Sequence, residues 1–411
     1  MRVGAGIVAV SLLAAGCASA DAAQPSAPLT ISRGAAQAEP AADARPYGTA
    51  DTTFGLNLLG AWCRQDPRQN LLLSPASMAT GLGMAYLGAK GATAQSMAKV
   101  LQLPKPASLA GLKARTNALA SLNGPGVKVS QSNQVWADPS LTTNQSYLNA
   151  LATGYQAGVA RVPLLTDPGQ AAQRIDQAVS AATEGHIQHL VNAGQVHGLG
   201  WLLTSALYLN ADWATKFQAG LTYPQKFTTA SGQTVNPQFL NGGGYQVGRA
   251  DGWTGVTLPY RGGQVEMVAL LPPAGNGASC AMPGTGALSA IENDGTTGSV
   301  AMPKVKLSSS GSFTDLLASL GMGTAFGGSA NFTGISPQAG AIGLVQQDAT
   351  LAVSEKGTVA TAATAVGVVA TAVPAPVRQA VTFNRPYLML ITSAATGEPL
   401  FLVRVVNPMN G

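Results

Sequence analysis

The sequence predicts one large α+β domain. From Thr49 onward the apolar pattern switches repeatedly between a helical and a strand period, and neither an internal repeat nor a second linker interrupts it. The chain also has the bulk for a sizeable core, with 46% hydrophobic side chains over 411 residues. Charged residues make up only 10%, against roughly 25% in an average soluble domain, so Ser, Thr, Asn and Gln must cover much of the surface. The net charge of +5 comes without a Lys/Arg run or a basic stretch interleaved with aromatics, which argues against a nucleic-acid partner.

Met1, Arg2, the apolar stretch 7–15 and the small residues after it read as a secretory signal over residues 1–16. Its end, Leu13-Ala14-Ala15-Gly16-Cys17, resembles the bacterial lipobox, which makes Cys17 the expected lipidation site and the membrane a partner through that anchor. Residues 18–48 hold 11 Ala and 4 Pro and almost no large aliphatics, so 17–48 is expected to be a lipidated, disordered tether and 49–411 the folded domain. Within that domain Phe54, Leu58, Leu59 and Trp62, then Met78, Leu82, Ala85 and Tyr86, recur at helical spacing and predict two core-facing helices. Residues 202–209, 256–260 and 265–271 predict strands, the last a nearly continuous apolar run of the kind buried on both faces. Loops around a short helix are expected over 274–299, a further helix over 313–320 closed by Gly321, and a terminal strand pair at 387–391 and 400–406 around Thr396-Gly397.

Once Cys17 is set aside, Cys63 and Cys280 remain in a compartment that permits disulfides. Nothing in the sequence says that they meet, and the favoured expectation is two small buried hydrophobes. His186, His189 and His197 are the only histidines; they match no metal-ligand spacing and are expected on exposed helix surface, so no metal is predicted. No GxSxG elbow, phosphate loop or GxGxxG is present, and nothing asks for an enzyme.

One segment asks for an explanation. Between Lys356 and Arg378 lie 21 consecutive uncharged residues, nearly all Ala, Val, Thr or Gly up to Val373. In extended form both faces are small enough to be buried, and no proline removes a ladder hydrogen bond before Pro374. Gly357, at its start, can take backbone angles that other residues avoid. The pattern is that of a hinge, a potential strand and a proline-stiffened exit.

Neighbouring motifs give that segment a context. Asn70-Leu71-Leu72-Leu73-Ser74-Pro75-Ala76-Ser77, Thr183-Glu184-Gly185-His186-Ile187, Trp213 with Phe217 and Thr222, Leu258-Pro259-Tyr260, Asn331-Phe332-Thr333-Gly334-Ile335 and Phe383-Asn384-Arg385-Pro386-Tyr387 resemble, in order and over essentially Thr49 to Pro408, the serpins, the serine protease inhibitor family. The resemblance implies an α+β serpin fold of three β-sheets and about nine helices, with an exposed reactive-centre loop at about 355–382. It implies a monomer without cofactor or catalytic residues, whose partner is a serine protease held in a covalent complex. The protease cuts the loop, and the loop inserts into the main sheet before the acyl bond is hydrolysed. Glu355, Gly357 and Thr358 match the hinge, and Ala360, Thr361, Ala362 and Ala363 its small-residue run. Ser74 and Ser77 match the shutter beneath the opening strands, and Trp213 the breach where the loop enters. Ser205 and Gln347 depart from the asparagine and histidine usual at two shutter positions. Counting from Glu355 places the reactive bond at Thr371-Ala372, whose small uncharged flanks suit an elastase-like or subtilisin-like protease. The alternative is a non-inhibitory, surface-tethered serpin that acts as a binding protein.

Overall fold

Residues 28–275, 279–359 and 379–410 are described by a computed structural model of the chain. In chain order, β1 (Thr30–Ser32) precedes α1 (Arg45–Gln65), β2 (Leu71–Leu73), α2 (Pro75–Tyr86), α3 (Gly91–Val100) and α4 (Leu109–Ala120). Then come β3 (Val127–Ala137), α5 (Gln145–Tyr155), β4 (Val159–Arg161), α6 (Pro168–Ala182), α7 (Ala193–Val196) and β5 (Trp201–Asp212). The short β6 (Tyr223–Pro224), β7 (Phe227–Thr228) and β8 (Thr234–Val235) lead to the hairpins β9 (Gln238–Ala250), β10 (Trp253–Pro259) and β11 (Val265–Leu271). The chain continues through α8 (Thr285–Asn293), β12 (Thr296–Pro303), β13 (Val305–Ser312), α9 (Thr314–Leu317), β14 (Val345–Val353) and β15 (Gly357–Val359). It closes with β16 (Ala380–Thr382), β17 (Tyr387–Ser393) and β18 (Pro399–Val405).

The described strands form three sheets. The main sheet runs β1-β4-β3-β5-β15-β14-β13, the second β16-β12-β9-β10-β11-β17-β18-β2 with β6 beside β9, and β7 pairs with β8. The two predicted helices lie within α1 and α2, and Pro46 and Pro75 each fall in a first turn, where a missing amide hydrogen is not needed. Strands β11, β17 and β18 are apolar runs buried along nearly their whole length, as continuous hydrophobic stretches require. Gly321, at φ 109°, ends the helical turn that follows α9, a conformation that glycine alone adopts without strain.

Three expectations are corrected. Cys63 and Cys280 form a disulfide with Cα atoms 5.6 Å apart, tying the last turn of α1 to the loop before α8; 217 residues separate them in sequence, so no local pattern announces the meeting. The disordered tether is not borne out over its described part. β1 joins the edge of the main sheet by antiparallel pairing with β4, and the arm continues along α5, where the Ala35 amide donates to Asn149 Oδ1 (2.9 Å) and the Gln37 amide to Thr153 Oγ1 (2.9 Å). Leu29 and Ile31, two of the few aliphatics in that stretch, pack against a core cluster built around Trp136, Val162 and Ile175, which supplies the missing burial. Finally, the three histidines lie outside α6 and α7 in the connections around them, and His186 stacks on Tyr208 of β5 with ring centroids 3.9 Å apart. Residues 17–27, with Cys17, lie outside the described residues.

Candidate functional site

The site is a fork in the main sheet. β5 and β14 run parallel and are registered from Leu203–Val345 to Ala206–Asp348, where their ladder ends. At the opposite end β15 lies between them, antiparallel to both: Gly357 faces Asp212 and Thr358 faces Ala211 on β5, while Thr358 faces Val353 and Val359 faces Ala352 on β14. The same two strands are therefore zipped at one end and parted by the hinge at the other.

Small size admits the hinge. A Cβ on Gly357 would lie 2.0 Å from the Ala211 carbonyl oxygen, so only glycine fits there. Thr358 is fully buried, and its hydroxyl is hydrogen-bonded to the Tyr260 hydroxyl at 2.5 Å. Burial pushes the Tyr260 phenol well above its ordinary value, so it stays protonated. Its ring stacks on Trp213, with centroids 4.4 Å apart and planes 8° from parallel.

The turn leading into β15 is held mostly through backbone. Trp213 donates from Nε1 to the Ser354 carbonyl and from its amide to the Lys356 carbonyl, and the Phe217 amide donates to the Glu355 carbonyl, each at 2.9 Å. Lys304 Nζ meets the Glu355 carboxylate at 2.9 and 3.0 Å. Burial alone would raise the Glu355 carboxyl; its own backbone amide and Lys304 outweigh that and hold it below the usual carboxylate range.

At the zipped end the polar cluster is complete. Ser74 caps α2 by accepting from the Ser77 amide, and the Gln347 side chain accepts from the Ser74 amide while donating to the Ser74 carbonyl, both at 2.9 Å. Ser205 Oγ donates to Ser77 Oγ (2.6 Å), which donates to Asn133 Oδ1 (2.7 Å). Serine and glutamine at positions 205 and 347 thus build a connected network across β14, α2, β5 and β3 without an imidazole.

The structure brings together Ser74, Ser77, Ser205 and Gln347 at one end of the fork, and Trp213, Glu355, Gly357 and Thr358 at the other. Ala360, Thr361, Ala362, Ala363, Thr371 and Ala372 lie outside the described residues. Sequence reasoning missed Tyr260, Lys304 and Asn133 as members of the site. Tyr260 stands inside the Leu258-Pro259-Tyr260 block, but nothing in the block says that its hydroxyl meets Thr358.

Residues 49–408 match the family model for serpin (serine protease inhibitor). The chain belongs to the serpin family. Its relatives include a serpin-like protein of Thermococcus kodakarensis, 30% identical over 83% of this chain and 82% of that protein, and leukocyte elastase inhibitor A of Mus musculus, 28% identical over 88% and 99%. Among solved structures, the native state of the thermophilic serpin tengpin shares the fold, with a TM-score of 0.76 and 23% identity over 92% of this serpin and 99% of that chain. Nine α-helices and three sheets among the described residues match the expected serpin architecture. The family consists generally of protease inhibitors and not of enzymes.

Proposed function

We propose that this serpin is a suicide-type inhibitor of a serine protease that prefers small apolar residues, and that it traps the acyl-enzyme by inserting residues 357–368 between β5 and β14. The observation that carries the proposal is β15 itself, seated in the fork before any cleavage, with Gly357 in register on β5, Val359 on β14 and Thr358 on both. Continuing that register one for one sets Thr364 between Ser205 and Gln347, and Val366 between Leu203 and Val345, which are now paired with each other. On the alternation of a strand, Thr364 shares the inward face of Thr358, so its hydroxyl would reach the polar cluster as insertion parts Ser205 from Gln347. The remaining inward positions are Ala360, Ala362, Val366 and Val368, none of which carries a charge into the sheet.

Chemically, the protease serine Oγ attacks the Thr371 carbonyl carbon, the bond to the Ala372 nitrogen breaks, and the released amine takes up a proton. The ester to Thr371 is what insertion must outrun. Small residues on both sides of the bond suit an elastase-like or subtilisin-like specificity pocket, and the name of the mouse relative, leukocyte elastase inhibitor A, is in keeping with that class. Mixing the protein with pancreatic elastase or subtilisin is expected to give an SDS-resistant band of summed mass together with a fragment beginning at Ala372. Loop cleavage without such a band favours the alternative, a binding protein without trapping activity. We also propose that Cys17 carries a lipid anchor at the mature amino terminus; mass spectrometry of the protein from its native membrane is expected to find a diacylglyceryl cysteine, and a mature chain beginning elsewhere overturns that.

A further inference from the structure

We propose that the cleft between β1, β4 and α6 binds a phosphate group. It encloses about 610 Å³ on the side of the main sheet away from β15, and its polar lining includes Ser32, Thr142, Thr143, Arg161, Gln170 and Arg174. Two guanidinium groups therefore share a cleft with hydroxyl and amide donors, set among the apolar walls of Pro139, Leu141 and Pro163, and among the described residues no carboxylate lines it.

Arg161 is held in place by neutral groups. Its Nε donates to Ser32 Oγ (3.1 Å), Nη1 to the carbonyls of Leu141 (2.8 Å) and Asp138 (3.3 Å), and Nη2 to Thr143 Oγ1 (2.6 Å). A guanidinium carries five N–H donors, so one Nη2 hydrogen is left over, and the positive charge meets no carboxylate within ion-pair distance among the described residues. Asp138 attracts it electrostatically while its carboxylate accepts from the Ser140 and Leu165 amides. Arg174, half-exposed on α6, has no ion pair or side-chain hydrogen bond among the described residues. Asp167 caps the first turn of α6 by accepting from the Gln170 amide, so the positive potential comes from the two arginines and not from the helix end.

An immobilised guanidinium with a spare donor, a second free one and two threonine hydroxyls suit a tetrahedral oxyanion, which accepts through several oxygens at once. The phosphate could belong to a free phosphomonoester or to an anionic lipid headgroup. The second source has its own rationale, because Thr30 at the rim stands thirteen residues after Cys17, a reach of at most about 45 Å in extended chain.

The test uses the full chain carrying Cys17→Ser, so that no acyl group reports on its own. Calorimetric titration with inorganic phosphate and glycerol 3-phosphate at low ionic strength reads the free source. Sedimentation with phosphatidylcholine vesicles, with and without phosphatidylglycerol, reads the headgroup. Binding in either arm should weaken about tenfold or more in Arg174→Gln, as expected for one charge-assisted bond. Arg161→Lys, which keeps the charge but loses the fork, should weaken it similarly. Headgroup binding that glycerol 3-phosphate competes away supports the same site. Binding absent from both arms, or unchanged in both variants, overturns the proposal.

Discussion

Thr358→Arg is expected to abolish trapping while leaving the loop cleavable. Thr358 is fully buried between β5 and β14, and among the described residues its side chain is hydrogen-bonded to the Tyr260 hydroxyl and to no carboxylate. Burying an unpaired charge costs several kcal/mol, enough to expel β15 from the fork in the intact variant, so that insertion must then bury the charge anew; each 1.36 kcal/mol added to that barrier slows insertion roughly tenfold. Hydrolysis of the acyl-enzyme then wins, and the protease is released with the inhibitor cut at the same bond. Gel analysis should show cleaved inhibitor and no SDS-resistant complex, whereas Thr358→Ser, which keeps the hydroxyl and adds no bulk, should trap as the parent does. Undiminished trapping by the arginine variant would show that trapping does not need a small, uncharged side chain at this place in the sheet.

Arg115→Met is expected to be the most destabilising single change outside the fork. Arg115 on α4 is nearly inaccessible and reaches two carboxylates, Asp51 on α1 and Glu398 in the turn before β18, each at 2.6 Å. It also donates to Thr80 Oγ1 and the Ala76 carbonyl on α2. Removing one member of a buried ion cluster typically costs about 3–5 kcal/mol, because the remaining charges lose their partner. Burial holds the Asp51 carboxyl well above its ordinary value, with Glu398 reinforcing the rise and Arg115 opposing it. A carboxyl raised in the folded state contributes stability that is present below its unfolded pKa, about 3.9, and declines as pH rises through the folded value. Without Arg115 the folded value rises further, so the variant should lose stability over a wider range of rising pH than the parent. Urea unfolding followed by circular dichroism at several pH values measures this; a loss below about 1 kcal/mol at neutral pH would mean that the cluster is not coupled as its geometry implies.

The parts of the fold that could be read in the sequence are those where one physical demand dominates. β11, β17 and β18 are buried along nearly their whole length and therefore apolar, and α1 and α2 each bury a face of large side chains at helical spacing. β3, β13 and β14 escaped because they alternate small polar residues with apolar ones, and some of those polar residues, Asn133 and Gln347 among them, make the hydrogen bonds of the fork. β1 escaped because three residues at a sheet edge need only Leu29 and Ile31 to settle them, too few to stand out among the alanines. The hinge was legible from what it lacks, charge and bulk. Its partners Tyr260 and Lys304 were not, because they stand just past the ends of β10 and β12, 98 and 51 residues from the residues they meet, and only the fold sets them beside it.

The central claim is that the register seating Gly357–Val359 between β5 and β14 can be extended after cleavage, where the two strands are now paired with each other, so that the intact protein holds conformational energy in reserve. Cleaving the Thr371-Ala372 bond with a catalytic amount of elastase and recording the thermal unfolding of the nicked protein beside the intact one tests it directly. The account predicts a higher melting temperature after the cut, by far more than the few degrees that one added contact gives; an unchanged or lower one would contradict it.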